Sequence, residues 1–250
     1  MGEMDDLSCL ALRLGDDALI HSHRLAEWCG CAPTLEEELA LANVALDFLG
    51  RARFCLQLVG RRLDSDEDRL AYHRDAREYT NLLLMEQPRG DFAYAMVRQF
   101  VMDEFEALYF GQLAASQDPD LAAIAAKSNK EIAYHLRRSR DWIERLGLGT
   151  TESRDRLQVA LIDVWDHVAE LFAMDEVETR LAGASIVPDR SALRDEWLAA
   201  VLPRFEAATV EPPAQMPAIS GGRRGVHTEH LERLLSQMQS LQRAYPGLAW

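Results

Sequence analysis

The sequence predicts an all-α fold built on an antiparallel four-helix bundle with additional C-terminal helices, and three observations carry that prediction. Leu, Ala, Glu and Arg dominate at helical spacing. The alternating apolar and polar runs that strands need are missing. Long amphipathic stretches fall two before Asp91 and two after it, which suits an up-and-down bundle.

The elements follow in order. A first helix is expected over about Leu10–Glu27, stopped near Gly30 and Pro33. Thr34 and Glu37 have capping-box spacing and open a second long helix reaching about Arg62. The acidic cluster Asp64 to Asp68 starts a short connecting helix through Tyr79, and Pro88-Arg89-Gly90-Asp91 punctuates. A third long helix is expected over Phe92–Ser116, with Met96, Phe100, Asp103, Ala107, Phe110 and Ala114 along its inner stripe. After the turn at Asp118-Pro119-Asp120, a fourth carries Leu121, Ala125, Ser128, Ile132, His135, Ser139, Trp142 and Leu146 on one face, and Gly147 and Gly149 end it.

Thr150 or Thr151 caps a fifth helix with Leu157, Leu161, Val164, Val168 and Leu171 inward. A sixth spans about Arg190–Ala208. Residues 210–225, with Pro212, Pro213, Pro217 and three glycines, read as a loop, followed by a last helix over Thr228–Ala244. No composition break demands a second domain, so residues 1–250 are expected to form one.

Lys+Arg 27 against Asp+Glu 41 gives a formal charge of -14, which repels phosphate backbones and anionic lipid. The expected partners are proteins or small molecules, with no nucleic acid and no membrane. Met1 to Asp6 lacks the basic and apolar regions of a signal peptide, and no apolar run approaches the roughly 18 residues of a span. A cytoplasmic location is therefore expected. Cys9, Cys29, Cys31 and Cys55 include a C-x-C but no paired C-x-x-C, so they read as buried thiols rather than a zinc or disulfide framework.

The chemistry turns on Ile132-Ala133-Tyr134-His135. A Glu-x-x-His pair sets an oxygen and a nitrogen on one helical face, and this tetrad keeps the histidine without the glutamate. A ferritin-type di-iron centre takes one acid from each of two helices and Glu-x-x-His from each of the other two. Glu27 and Asp103 are the candidate lone acids. The tetrad of the second helix, Phe48-Leu49-Gly50-Arg51, supplies no ligand at all. Three of six ligands remain, and a cationic Arg51 beside them disfavours a metal. If Glu27 and Asp103 face a metal-free core, Arg51, with His135 or Arg53, is the expected internal cation; a surface-facing Arg51 is the alternative.

Three blocks, Leu14–Arg53, Lys130–Arg156 and Gly222–Trp250, closely resemble the non-catalytic C subunits of bacterial phenylacetyl-CoA epoxidases, also called ring 1,2-phenylacetyl-CoA monooxygenases. The resemblance implies a ferritin-like fold and a structural role beside a related catalytic A subunit. That subunit holds the di-iron site, with Glu and His where Phe48, Arg51 and Ile132 stand here, and a separate reductase carries flavin and iron–sulfur groups. It also implies no cofactor in this chain, no catalytic residue and further partner subunits; self-association in isolation stays open. The rival reading is a di-iron enzyme using Glu27, Asp103, His135 and other ligands.

Other motifs read as follows. Asp163, Asp166, His167 and Glu170 form a solvated acidic face with no assigned chemistry. His227 and His230 have zinc-like spacing after a loop, but capping by Thr228 is the stronger reading. Arg223 and Arg224, between glycines, suit partner carboxylates before coenzyme A phosphates, against a mobile basic loop.

Overall fold

The computed structural model describes residues 4–248; residues 1–3, 249 and 250, which belong to the N-terminal and C-terminal readings above, lie outside the described residues. The chain is all-α, as a ferritin-like helical bundle requires, and no strand occurs among the described residues. Its α-helices are α1 Asp6–Ala26, α2 Leu35–Leu63, α3 Glu67–Tyr72, α4 Leu83–Glu86, α5 Phe92–Leu113, α6 Pro119–Leu148, α7 Thr151–Trp165, α8 Glu176–Gly183, α9 Arg194–Ala207, α10 Glu229–Met238 and α11 Ser240–Ala244. Among the described residues no helix is long and apolar enough to cross a membrane.

Side-chain caps start most of these helices. Asp5 accepts from the Ser8 amide at 2.6 Å, Asp91 from Tyr94 at 2.9 Å, and Asp118 from Leu121 at 2.9 Å with Pro119 in the first turn. Thr34 accepts from the Glu37 amide at 3.3 Å, but the Glu37 carboxylate pairs with Arg138 rather than closing the expected box.

The chain divides into two compact units. One gathers Leu39–Pro88 with the N-terminal stretch through Cys29 and the C-terminal stretch from Ser220; the other holds Gly30–Glu38 and Arg89–Ile219.

In the first unit α1 and α2 are antiparallel. Gly15 faces Cys55 and Leu56, and seven residues on, the Ser22 hydroxyl donates to the Ala45 carbonyl at 2.7 Å. Leu10, Ile20, Leu25, Leu41, Phe48, Leu56 and Val59 fill the core. The expected helix through Tyr79 stops at Tyr72, because Asp16 on α1 organises the next residues differently. Arg74 forks onto the Asp16 carboxylate, one nitrogen at 3.0 Å, and stacks 4.2 Å over the Tyr79 ring. The Thr80 amide and hydroxyl reach the same carboxylate at 2.8 and 3.0 Å. A buried carboxylate needs such partners, and a regular helix here could not supply them.

The last helix is interrupted for a similar reason. Gln239, between α10 and α11, is buried and inserts its amide toward the Ala71 and Arg74 carbonyls at 3.1 and 3.0 Å.

In the second unit α5 and α6 are antiparallel, tied by a two-pronged Arg140–Glu104 pair at 2.6 and 2.8 Å and by the Asn129 amide on the Phe110 carbonyl at 3.1 Å. Trp197 of α9 donates to the Val101 carbonyl at 3.1 Å and packs with Trp165 and Phe172. The expected fifth helix ends at Trp165; Val168–Phe172 is a 3-10 turn whose Glu170 and Leu171 carbonyls accept from Arg190, itself paired with buried Glu178 at 2.6 Å. Arg190–Leu193, expected as helix, is likewise 3-10, with the Asp189 side chain accepting from the Ser191 amide at 2.9 Å. Neither α4 nor α8 was expected from the sequence.

Gly147 shows how close the second unit is packed: a Cβ there would stand 2.1 Å from the Ala208 carbonyl oxygen. Gly147→Ala is expected to destabilise the fold by about 1–3 kcal/mol through overpacking, read as a lower urea midpoint with an unchanged slope.

Candidate functional site

The expected metal positions of the second unit lie on α5 and α6. Asp103, Ile132 and His135 are buried, at 0%, 2% and 1% exposure. Asp103 accepts from Gln99 Nε2 at 2.6 Å on one oxygen and from Ser139 Oγ at 2.7 Å on the other. Ser139 follows His135 by one helical turn, so both stand on the buried face of α6.

In the first unit Phe48 is buried and Arg51 is 3% exposed, its guanidinium carbon 4.7 Å from the Phe48 ring centroid. His21 meets the same ring edge-on at 4.7 Å. Arg51 thus turns inward against Phe48. Arg53 does not: it is exposed and pairs with Glu67 at 3.0 Å. Glu27 corrects the sequence reading more strongly. It caps the C-terminal end of α1, is exposed, and pairs with Arg24 at 2.6 Å.

A di-iron centre does not fit these residues. Phe48 and Ile132 have no lone pair to offer, Arg51 brings positive charge, and Asp103 already receives two hydrogen bonds. Among the described residues no group of three or more His, Cys, Asp or Glu could hold a metal ion. The cysteine reading also needs correction: Cys55 is buried, its thiol pushed up to about 12 by burial, but Cys9 is half-buried and Cys29 and Cys31 are exposed.

A second polar constellation is centred on Glu86, which the sequence reading did not single out. Glu86, at the end of α4 and fully buried, accepts from Asn81 Nδ2 at 2.9 Å, from the Thr228 amide at 2.6 Å and from its hydroxyl at 2.8 Å, and faces His227 Nδ1 at 2.7 Å. His227 Nε2 lies 2.9 Å from the Tyr79 carbonyl. Both ring nitrogens therefore face oxygen acceptors, which fits the doubly protonated ring. Burial pulls the His227 pKa down, but the hydrogen bonds to Glu86 and Tyr79 and the Glu86 charge outweigh it, and the net shift is upward.

Arg223 belongs to the same scaffold. It grips Asp17 at 2.7 and 3.1 Å and the Thr80 carbonyl at 2.7 Å, with its side chain 12% exposed. Arg223 is thus engaged by Asp17 on α1 and by the Thr80 carbonyl, and is not part of a loose basic loop. Gly222 and Gly225 are required for this approach: a Cβ at either would collide with the Asn81 or Arg77 carbonyl oxygen. Thr228 caps α10 as expected, accepting from the His230 amide at 3.3 Å, and the His230 carbonyl accepts from Arg24 at 3.0 Å. Arg224 is exposed and, with Arg77 and Arg243, edges a groove of about 1160 Å³ in the first unit. The sequence held one signal for the network, two consecutive aspartates at 16 and 17 inside an otherwise apolar stretch.

The sequence itself matches known proteins. A family model described as phenylacetic acid catabolic protein matches residues 2–250. The chain is 47% identical over 251 residues to the C subunit of the 1,2-phenylacetyl-CoA epoxidase of Escherichia coli (strain K12), covering 99% of this chain and 100% of that one.

Two outcomes are expected of the network. A raised histidine pKa stabilises the fold fully below the unfolded value near 6.5, and that contribution is lost as pH rises through the folded value. The urea midpoint should fall as pH rises from about 6.5 into the alkaline range, and His227→Gln should flatten that dependence. Arg223→Ala, which strands Asp17, should cost about 3 kcal/mol and expose the segment after Ser220 to limited proteolysis.

Proposed function

The chain belongs to the phenylacetic acid catabolic protein family, and from that premise we propose that it is the structural, metal-free C subunit of a phenylacetyl-CoA epoxidase. It binds a homologous catalytic subunit that carries the di-iron centre, and electrons reach that centre from a separate reductase with flavin and iron–sulfur groups. In this reading the chain contributes no catalytic residue; it fixes the shape of its partner and of the partner's substrate site in aerobic phenylacetate degradation.

The observation that carries the reading is the full-length identity to the C subunit of the Escherichia coli enzyme. The residue chemistry supports it. Where a di-iron chain needs ligands, this one has Phe48, Arg51 and Ile132, and it engages Asp103 in hydrogen bonds. A scaffold subunit needs a rigid, well-packed body, and buried ion pairs such as Asp16–Arg74 and Glu178–Arg190 fit that requirement. The acidic charge and the helix lengths suit a protein partner better than nucleic acid or bilayer.

Co-expression with a candidate catalytic subunit, followed by size-exclusion chromatography and metal analysis of each chain, tests the proposal. The two chains should co-elute, with iron in the partner and phenylacetyl-CoA turnover in the complex alone. Stoichiometric iron with oxygen reactivity in this chain by itself would establish the rival di-iron reading, and failure to form any complex would remove the structural role.

A further inference from the structure

α1 ends in a tight turn that carries Cys29-Gly30-Cys31 to the surface. The Trp28 amide donates to the Leu25 carbonyl and the Cys29 amide to the Ala26 carbonyl, both at 3.1 Å, and the buried Trp28 side chain anchors the turn. Both cysteines are exposed. Gly30 has a φ of +82°, in the left-handed region that suits glycine, and a Cβ built there would meet no atom within 4 Å. The turn can therefore tighten without displacing a packed neighbour.

With a single residue between them, the two thiols are kept within reach of each other by the covalent chain itself. Two trans peptide steps of about 3.8 Å hold the Cα atoms within roughly 7.6 Å, and a bend at glycine brings them into the range of about 4.4–6.8 Å that a disulfide takes. The two sulfurs are not equivalent. The Arg89 guanidinium donates to Cys31 Sγ, a cation placed to balance charge that develops on that sulfur as it reacts. The other thiols are poor competitors, because Cys9 is half-buried and Cys55 is buried, its thiol pushed up to about 12.

We propose that Cys29 and Cys31 form a redox-active dithiol, which hydroperoxides oxidise to an intramolecular disulfide, with Cys31 as the attacking sulfur and Cys29 as the resolving one. Cys31 gives up its thiol proton, and its sulfur takes one peroxide oxygen as the O–O bond breaks; the departing hydroxide collects that proton and leaves as water. The Cys29 sulfur then attacks the Cys31 sulfenic sulfur. The S–S bond forms as the S–O bond breaks, and the Cys29 proton leaves with the hydroxyl as a second water. The thiol pair loses two electrons and the peroxide gains them. A thiol reductant reverses the change by exchange. The inference does not rest on the proposed function, because every group in it belongs to this chain.

The reduced full chain, treated with hydrogen peroxide, should lose two hydrogen atoms on its tryptic peptide of residues 25–51, which contains Cys29 and Cys31 but neither Cys9 nor Cys55. Dithiothreitol should restore them. Cys29→Ser should stop at a sulfenic acid on Cys31 that dimedone captures in mass spectrometry. Cys31→Ser should consume peroxide about 10-fold more slowly than Cys29→Ser, and Arg89→Leu should slow disulfide formation about 10-fold at an unchanged circular dichroism spectrum. Both cysteines are exposed, so the serine variants keep the fold. A peptide that ends as sulfenic or sulfinic acid, or a disulfide that joins two chains, overturns the dithiol. Equal rates in the two serine variants overturn the part given to Cys31, and a rate indifferent to Arg89→Leu overturns that of the guanidinium.

Discussion

A carboxylate taken out of water must be compensated where it stands, and in the first unit Glu86 imposes that condition on both ends of the chain. Its two oxygens collect Asn81, His227 and both donors of Thr228, so the C-terminal segment is held to α4 by charge-assisted bonds as well as by apolar burial. Arg24 extends the arrangement by donating to the Glu86 carbonyl at 2.7 Å and to the His230 carbonyl at 3.0 Å, which ties α1 to the same point. Asp16 and Asp17 repeat the logic with Arg74 and Arg223. Residues far apart in sequence become neighbours because each buried acid requires a specific donor.

The second unit relies on a different balance. Its two long helices join through an amphipathic seam, closed by the Arg140–Glu104 pair and by the aromatic group of Phe105, Trp165, Phe172, Trp197 and Phe205. Asp103 is held there by neutral donors, Gln99 and Ser139. Ile132 and His135 on α6 are both buried, and Arg140, paired with Glu104, also feels the Asp103 charge.

The long helices were legible because their signals are local and redundant. Apolar period, Asp or Thr caps and a proline in the first turn place α5 and α6 within a few residues, and the inward stripe of α6 is buried at Leu121, Ala125, Ser128, Ile132, His135 and Ser139. The interruptions were not legible. The helix expected through Tyr79 yields to Arg74 on Asp16, the fifth helix to Arg190 on the Glu170 and Leu171 carbonyls, and the last helix to Gln239 on the Ala71 and Arg74 carbonyls. In each case a distant side chain offers backbone or carboxylate groups a partner that local propensity does not anticipate.

The helical class and the order of the long helices could be read from the chain alone, as could the absence of Glu and His at Phe48, Arg51 and Ile132, because side-chain type and helical period are written residue by residue. Packing fixed what the chain alone does not reveal: Arg223 pairs with Asp17, Glu27 is exposed at the C-cap of α1, and His227 is held between Glu86 and Tyr79. Those outcomes depend on which donors and acceptors burial brings together, and long-range pairing of this kind leaves no periodic trace in the chain.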